Sequence, residues 1–193
     1  MEYIIDFNFS NKKENILDLI VRKTRQEVEK ELKIDIKKHG LTNKCDYVRN
    51  ILAKNLDEEK IDYDFIETNQ ILGNDVVGHS FLVSYLEKNS YIMDLTYMQF
   101  FDKDNCKKNN YQQIDGITIK APLPGYYYIT NPNDIDIAKN ILENGYIKLD
   151  ERSAKVYLDS FYLTRRGRRL DIDIKASTYL NAFDSVKRKN KCK

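Results

Sequence analysis

The sequence predicts an α+β fold in which helices come first, an antiparallel sheet follows and a helical segment closes the chain. Apolar residues at helical spacing run through a charged stretch from Asn11 to about Lys37. Two stretches rich in β-branched and aromatic residues then cover 76–86 and 90–101. Helical spacing returns over Asp134–Asn144 and Asp150–Arg165. We expect residues 1–193 to form one domain, because this length suits a single core.

The first half of the predicted fold leads to a cysteine. Residues 2–9 are typical of a short strand, and the long helix after them is expected to end before Gly40. Thr42 or Asn43 is the expected cap of a second helix that starts near Cys45. Its apolar side is formed by Val48, Ile51, Leu52 and Leu56.

Three strands are expected after this helix, near 61–70, 76–86 and 90–101, with a hairpin turn at Glu87–Ser90. A turn centred on Lys88 and Asn89 leaves His79 and Asp94 on one face but four residues out of register. Contact between them requires a turn shifted towards Leu86 and Glu87, or a bulge in one strand.

The second half contains more irregular sequence. Polar residues 102–113 predict a loop, 117–121 is a candidate strand, and 122–132 contains the three prolines and the run Tyr126–Tyr128. Gly145 is the expected C-terminal cap of the helix over Asp134–Asn144. Residues 172–183 have a mixed pattern, and the basic tail from Val186 is expected to fray. The tyrosine run is compatible with core or strand packing and with an acyl-chain cleft.

Composition narrows the function classes. The 32 basic and 30 acidic side chains are mixed along the chain and give a net charge of +2, so no nucleic-acid footprint is expected. Arg165, Arg166, Arg168 and Arg169 form the one notable basic cluster, either a solvated turn around Gly167 or a docking patch for a phosphate or an acidic partner.

The cysteines and the N-terminus bear on location and cofactors. Three widely spaced cysteines argue against a disulfide framework and for a reducing cytoplasm. They match no zinc-ligand spacing, so we expect no metal and no cofactor. We also expect no secretory signal and no membrane segment, since no apolar run has the required length.

Cys45, His79 and Asp94 occur in the order of a thiol nucleophile, its base and the residue that orients the base. A thiol at a helix start lies in the positive field of the helix N-terminus, which favours the thiolate. The ordinary interpretation of a single cysteine is a small buried filler, and the combination with His79 and Asp94 favours catalysis. His39 is expected in a solvated turn, and Cys106 and Cys192 in polar surroundings.

This constellation resembles the papain-like cysteine protease superfamily, in its bacterial Cys-His-Asp branch. The resemblance covers roughly residues 40–101, through Cys45, the segment His79-Ser-Phe-Leu-Val and the segment Tyr91-Ile-Met-Asp-Leu-Thr-Tyr-Met-Gln-Phe. It implies a papain-like fold in which N-terminal helices carry the nucleophile and an antiparallel sheet carries the histidine and the acid. It also implies that Cys45 is the nucleophile, His79 the general base and Asp94 the orienting acid.

The sequence departs from the family pattern at the oxyanion hole. Papain has a glutamine shortly before its nucleophile, whereas Lys37–Asn43 contains none. The backbone N–H of Cys45 therefore needs a second donor, and the candidates are Asn43, Gln99 and His39.

The resemblance implies acyl transfer through an acyl-enzyme and leaves the reaction open. We rank a transacylase first, similar to protease homologues that form amides in natural-product assembly, with an acyl thioester, free or on a carrier protein, as donor and an amine as acceptor. A cysteine peptidase and a glutamine deamidase follow. The alternative from another class is a catalytically inactive papain-like module that binds a partner.

Overall fold

The computed structural model describes residues 15–36, 41–72, 78–101, 132–166, 180–181 and 183–184. These residues form an α+β structure, as the sequence predicts, with a four-stranded antiparallel sheet. In chain order the elements are α1 (Ile16–Leu32), α2 (Cys45–Glu58), β1 (Asp62–Glu67), α3 (Thr68–Leu72), β2 (Ser80–Leu86), β3 (Asn89–Met93), a 3₁₀ helix (Tyr97–Phe101), α4 (Pro132–Asn144), β4 (Tyr146–Lys148) and α5 (Glu151–Arg166).

The strands lie in the order β1-β2-β3-β4, and every neighbouring pair is antiparallel. Leu82 pairs with Met93 and Leu86 with Asn89, so Glu87 and Lys88 form the hairpin turn. Glu87 has a φ of 55°, in the left-handed region. The turn centred on Lys88 and Asn89 is therefore wrong, and the shift towards Leu86 and Glu87 is confirmed. It halves the register offset between His79 and Asp94.

Helix α1 is shorter than the predicted stretch from Asn11 to Lys37 because both of its ends are capped inside that stretch. Asn15 and Asp18 form a capping box at the N-terminus, in which the Asn15 side chain accepts from the Leu17 backbone N–H at 3.1 Å. Lys33, with a φ of 54°, ends the helix. The buried Thr24 Oγ1 of α1 accepts from Asn55 Nδ2 of α2 at 3.0 Å, which fixes the two helices together.

Two predicted strands end earlier than expected. The strand predicted over 61–70 ends at Glu67, where α3 begins, and the one predicted over 90–101 ends at Met93. In the second case Asp94 Oδ1 accepts from the backbone N–H of Thr96 at 2.8 Å and from its hydroxyl at 2.7 Å. This Asx turn directs the backbone into the 3₁₀ helix. The strand predicted over 76–86 begins at Ser80.

The C-terminal half completes the sheet and its core. Helix α4 ends at Asn144, and the φ of 76° at the next residue, Gly145, confirms the predicted cap. Strand β4, which the sequence did not predict, then pairs with β3 and leads into α5. The buried apolar side chains include Leu17 and Val28 of α1, Val48, Leu52 and Leu56 of α2, Phe81 and Leu82 of β2, and Val156, Tyr157 and Leu158 of α5.

Several predictions lie outside the described residues: the strand over 2–9, the loop over 102–113, the strand over 117–121, the tyrosine run 126–128 and the tail from Val186. His39, Cys106, Cys192, Arg168 and Arg169 also lie outside them. Within the part of the chain that is described, no helix is both long and apolar enough to span a membrane.

Candidate active site

Cys45 is the first residue of α2, as the sequence predicts. The cap differs from the prediction, because Lys44 occupies the N-cap position and no side chain caps the helix. A turn precedes it, in which the Lys44 N–H donates to the Leu41 carbonyl at 3.1 Å and Asn43 has a φ of 60°. The first helical hydrogen bond joins the Val48 N–H to the Lys44 carbonyl. The N–H groups of residues 45–47 therefore lie outside the helical ladder and contribute the positive field of the helix N-terminus.

The thiol of Cys45 is half-buried and sits against the start of β2. A hydrogen bond with His79 lowers its pKa, burial opposes that effect, and the backbone N–H of Ser80 and the charge of His79 lower it further. The resulting pKa of Cys45 is about 7, against an ordinary value of 9.0. A substantial fraction of the thiol is therefore ionised at neutral pH, which is the reactive form.

His79 is fixed through both its backbone and its ring. Its N–H donates to Thr68 Oγ1 at 2.9 Å, and its carbonyl accepts from the Thr68 N–H at 2.9 Å. The ring lies nearly parallel to that of Phe81, with 17° between their planes. Its Nε2 is 2.8 Å from Asp94 Oδ2, so the nitrogen available to Cys45 is Nδ1.

Asp94 is buried at the point where β3 ends, and both of its oxygens are occupied. Thr96 donates twice to Oδ1, while His79 Nε2 and the Tyr157 hydroxyl, each at 2.8 Å, bind Oδ2. Burial raises the pKa of Asp94, but the charge of His79 and these hydrogen bonds outweigh burial and lower it overall. Asp94 is therefore a carboxylate across the neutral range.

The imidazole of His79 stays protonated above neutral pH. Burial lowers its pKa, but the charge and hydrogen bond of Asp94, together with the hydrogen bond to Cys45, raise it to about 9. Because the pKa of Cys45 is about 7, a thiolate and an imidazolium coexist between these two values. The two groups interact, so both values describe the titration of the pair.

The predicted oxyanion donors have different positions. Gln99 lies in the 3₁₀ helix, is buried, and places its Nε2 3.2 Å from His79 Nδ1. It is therefore on the side of the ring that faces the thiol. Asn43 is exposed in the turn before α2. His39 lies outside the described residues.

Two further residues, Ser80 and Tyr157, contact the site and were not predicted from the sequence. Ser80 directs its N–H at the Cys45 sulfur and donates its hydroxyl to Asp46 Oδ1 at 2.5 Å. Tyr157, from α5, binds Asp94. Ser80 follows His79 directly in the sequence, so its nearness to the site can be inferred from the sequence. Tyr157 is 63 residues from Asp94, and no sequence signal links the two.

Comparisons with known proteins add no assignment, since no protein-family model, curated protein or solved structure matches the chain. Among the described residues, no group of three or more His, Cys, Asp or Glu side chains is arranged to hold a metal ion.

Proposed function

We propose that the protein is a thiol-dependent acyl-transfer enzyme in which Cys45 is the nucleophile, His79 the general acid–base and Asp94 the residue that orients His79. The observation that carries this proposal is the buried chain of contacts from Asp94 Oδ2 through His79 Nε2 to the Cys45 thiol. A cysteine that only fills space needs neither an adjacent histidine nor a carboxylate behind that histidine. Burying the side chains of His79 and Asp94 costs free energy, and a purely structural role for Cys45 does not explain that cost.

The charges of the site are matched to nucleophilic catalysis. The pKa of Cys45 is lowered to about 7 and that of His79 is raised to about 9, so thiolate and imidazolium form one pair near neutral pH. The thiolate can attack a carbonyl without first losing a proton. The imidazolium then has a proton to give to the leaving group.

The proposed reaction has two halves. In the first, Cys45 Sγ bonds to the carbonyl carbon of the donor, and the bond from that carbon to the leaving group breaks while His79 donates its proton to the leaving group. In the second, the nitrogen of the amine or the oxygen of water bonds to the acyl carbon while His79 takes a proton from it, and the bond from that carbon to Sγ breaks, which restores the thiolate and the imidazolium. Oxyanion stabilisation falls to the Cys45 backbone N–H and to Gln99, because Gln99 lies on the thiol side of the ring.

Acyl thioesters and amines are the substrates that we propose first. On motif class the chain is similar to papain-like protease homologues that form amides in natural-product assembly, where the acyl donor is carried as a thioester. Water as acceptor makes the same machinery a peptidase or, with a glutamine side chain as donor, a deamidase. The papain-like fold remains part of this proposal.

A first experiment separates an enzyme from an inactive binding module. Iodoacetamide labelling at neutral pH, followed by peptide mapping, compares Cys45 with Cys106 and Cys192. We expect Cys45 to react first, because its pKa is about 7. Slower labelling of Cys45 than of both other cysteines indicates a packed thiol and removes the enzyme proposal.

A second experiment separates transfer from hydrolysis. The purified protein is incubated with an acyl thioester and a series of amines and diamines, and the products are separated by mass. A transacylase is expected to release amide at the expense of free acid as the amine concentration rises, since its site must favour an amine over water. Free acid alone at every amine concentration favours the peptidase or deamidase. Cys45→Ala is the control for uncatalysed reaction.

A further inference from the structure

Tyr157 hydrogen-bonds through its hydroxyl to a carboxylate of the candidate site. It lies in α5, is fully buried, and donates to Asp94 Oδ2 at 2.8 Å. The same oxygen accepts from His79 Nε2, also at 2.8 Å. One oxygen thus divides its negative charge between the imidazole and the phenol.

The position of the phenol is determined by an aromatic cluster drawn from three elements. The Tyr157 ring contacts Phe81 of β2 edge-on, with 4.8 Å between ring centroids and 65° between planes. It stacks on Tyr97 of the 3₁₀ helix, at 5.3 Å and 23°. Both neighbours are fully buried, so the ring has little freedom to turn its hydroxyl away from Asp94.

We propose that Tyr157 is a positioning residue that sets the acid strength of His79 by drawing charge from Asp94 Oδ2. This inference rests on the proposed function, because it assigns a role within the same Cys45–His79–Asp94 chain. A phenol that only packed in the core would satisfy its hydroxyl equally well on a backbone carbonyl.

The physical argument follows from the sharing of one oxygen. A hydrogen bond from a neutral donor disperses the charge of a carboxylate, and the carboxylate then attracts a second donor less strongly. Without the Tyr157 hydroxyl, Asp94 Oδ2 keeps more charge for His79 and holds the imidazolium proton more tightly. A proton held more tightly is released to the leaving group more slowly.

The protonation state of Tyr157 agrees with a donor role. Burial and the charge of Asp94 raise its pKa well above the ordinary value, so the phenol keeps its proton wherever the site is active. The charges of Asp94 and Cys45 both raise the pKa of His79. Asp94 in turn is influenced by His79, Thr96 and Tyr157. Tyr97 and Cys45 also act on Tyr157, and neither of these groups is changed in the test below.

The test measures the rate of Cys45 alkylation by iodoacetamide as a function of pH, which requires no substrate. The wild-type profile is expected to show two inflections, near 7 where the pair forms and near 9 where the imidazolium loses its proton. In Tyr157→Phe the upper inflection should move upward by about half a pH unit, a fraction of the one to three units that a neighbouring opposite charge produces. Acyl transfer should slow in the same variant.

A second variant reverses the perturbation and guards against misfolding of the first. Incorporation of 3,5-difluorotyrosine at position 157 preserves the ring and strengthens the donor, so the upper inflection should move downward. Tyr146→Phe is the matched control, because Tyr146 donates at the same 2.8 Å to Asp18 Oδ1, a carboxylate outside the Cys45–His79–Asp94 chain. This control should leave both inflections in place.

The outcomes separate this inference from the proposed function. An upper inflection that stays unmoved in both Tyr157 variants, beside a wild type with two inflections, shows that Tyr157 only packs and overturns the inference alone. A wild-type profile with a single inflection near the ordinary cysteine value overturns both the inference and the proposed function.

Discussion

Replacing Asp94 by asparagine tests whether the carboxylate controls the charge of the thiol. The two Thr96 donors at Oδ1 include a backbone N–H that cannot turn away, so the asparagine oxygen is expected to take the Oδ1 position. The new amide N–H₂ then faces His79 Nε2, where Oδ2 was, and donates to it. The ring is left with its proton on Nδ1, the tautomer that cannot accept the thiol proton.

The magnitude follows from the pKa values of the pair. Without the Asp94 charge, burial lowers the pKa of His79 and only the contact with Cys45 opposes it, so the imidazolium that stabilises the thiolate is lost. The pKa of Cys45 should return from about 7 towards its ordinary value of 9.0. This rise of about 2 units corresponds to ~2.7 kcal/mol and lowers the thiolate fraction at neutral pH from about one half to about 1 per cent.

The rate of alkylation changes less than the thiolate fraction. A thiolate of higher pKa is a better nucleophile, with a Brønsted coefficient of about 0.4–0.5, which returns roughly 6- to 10-fold. The net rate at neutral pH should therefore fall by roughly 5- to 8-fold. The sharper readout is the lower inflection of the profile, which should move from about pH 7 towards about pH 9.

The assay is iodoacetamide alkylation of Cys45, quantified by mass spectrometry of the tryptic peptide over the neutral and alkaline range. Asp64→Asn is the matched control, since Asp64 accepts the Tyr85 hydroxyl at 2.5 Å on neighbouring strands and does not bind His79. Its profile should coincide with that of the wild type. If the lower inflection of Asp94→Asn stays within about half a unit of the wild-type position, the carboxylate does not act on the thiol and the reasoning fails.

Four other substitutions test separate parts of the structure. Cys45→Ala should abolish acyl transfer and change the free energy of unfolding in urea by less than about 1 kcal/mol, because the half-buried thiol fills little core volume; residual turnover above background would remove Cys45 as nucleophile. Gln99→Leu should lower turnover by about 100-fold if Gln99 is the oxyanion donor. Asn43→Gly should leave turnover unchanged, because glycine adopts the left-handed conformation of that turn. A loss of turnover in Asn43→Gly but not in Gln99→Leu would make Asn43 the oxyanion donor instead. Gly145→Ala should lower the free energy of unfolding by about 1–3 kcal/mol, because φ is 76° and the new Cβ would lie 3.1 Å from Val21 Cγ1; unchanged stability would contradict this account of the α4 end.

The sequence predicted the elements whose structure depends on neighbouring residues, such as an apolar helix face or a glycine cap. Helix α2 begins at Cys45 and its buried side contains Val48, Leu52 and Leu56, because apolar spacing specifies a helical face directly. Gly145 ends α4 as expected, since the left-handed cap favours glycine. The early end of β3 was missed although Asp94 and Thr96 are two residues apart, because β-branched and aromatic residues beyond them suggested a continuing strand.

The candidate site also contains parts that the sequence predicted and parts that it did not. The order of Cys45, His79 and Asp94 indicated a possible triad, and a shift of the hairpin turn by one position was needed to bring the acid towards the histidine. The position of the turn depends on the left-handed backbone conformation of Glu87. A glycine or asparagine would have predicted that conformation from the sequence, whereas a glutamate does not. The role of Tyr157 depends on how α5 packs against the end of β3, and a contact between residues 63 positions apart has no local pattern in the sequence.

The most direct test of the central claim is the trapping of an acyl group on Cys45. The wild-type protein is mixed with an excess of an activated acyl thioester, quenched in acid and measured intact, and the modified residue is located by peptide mapping. The proposal predicts one added acyl group on Cys45, absent in Cys45→Ala and discharged by an added amine or by water. An acyl group distributed equally over Cys45, Cys106 and Cys192, or none on Cys45 with any thioester, would contradict it.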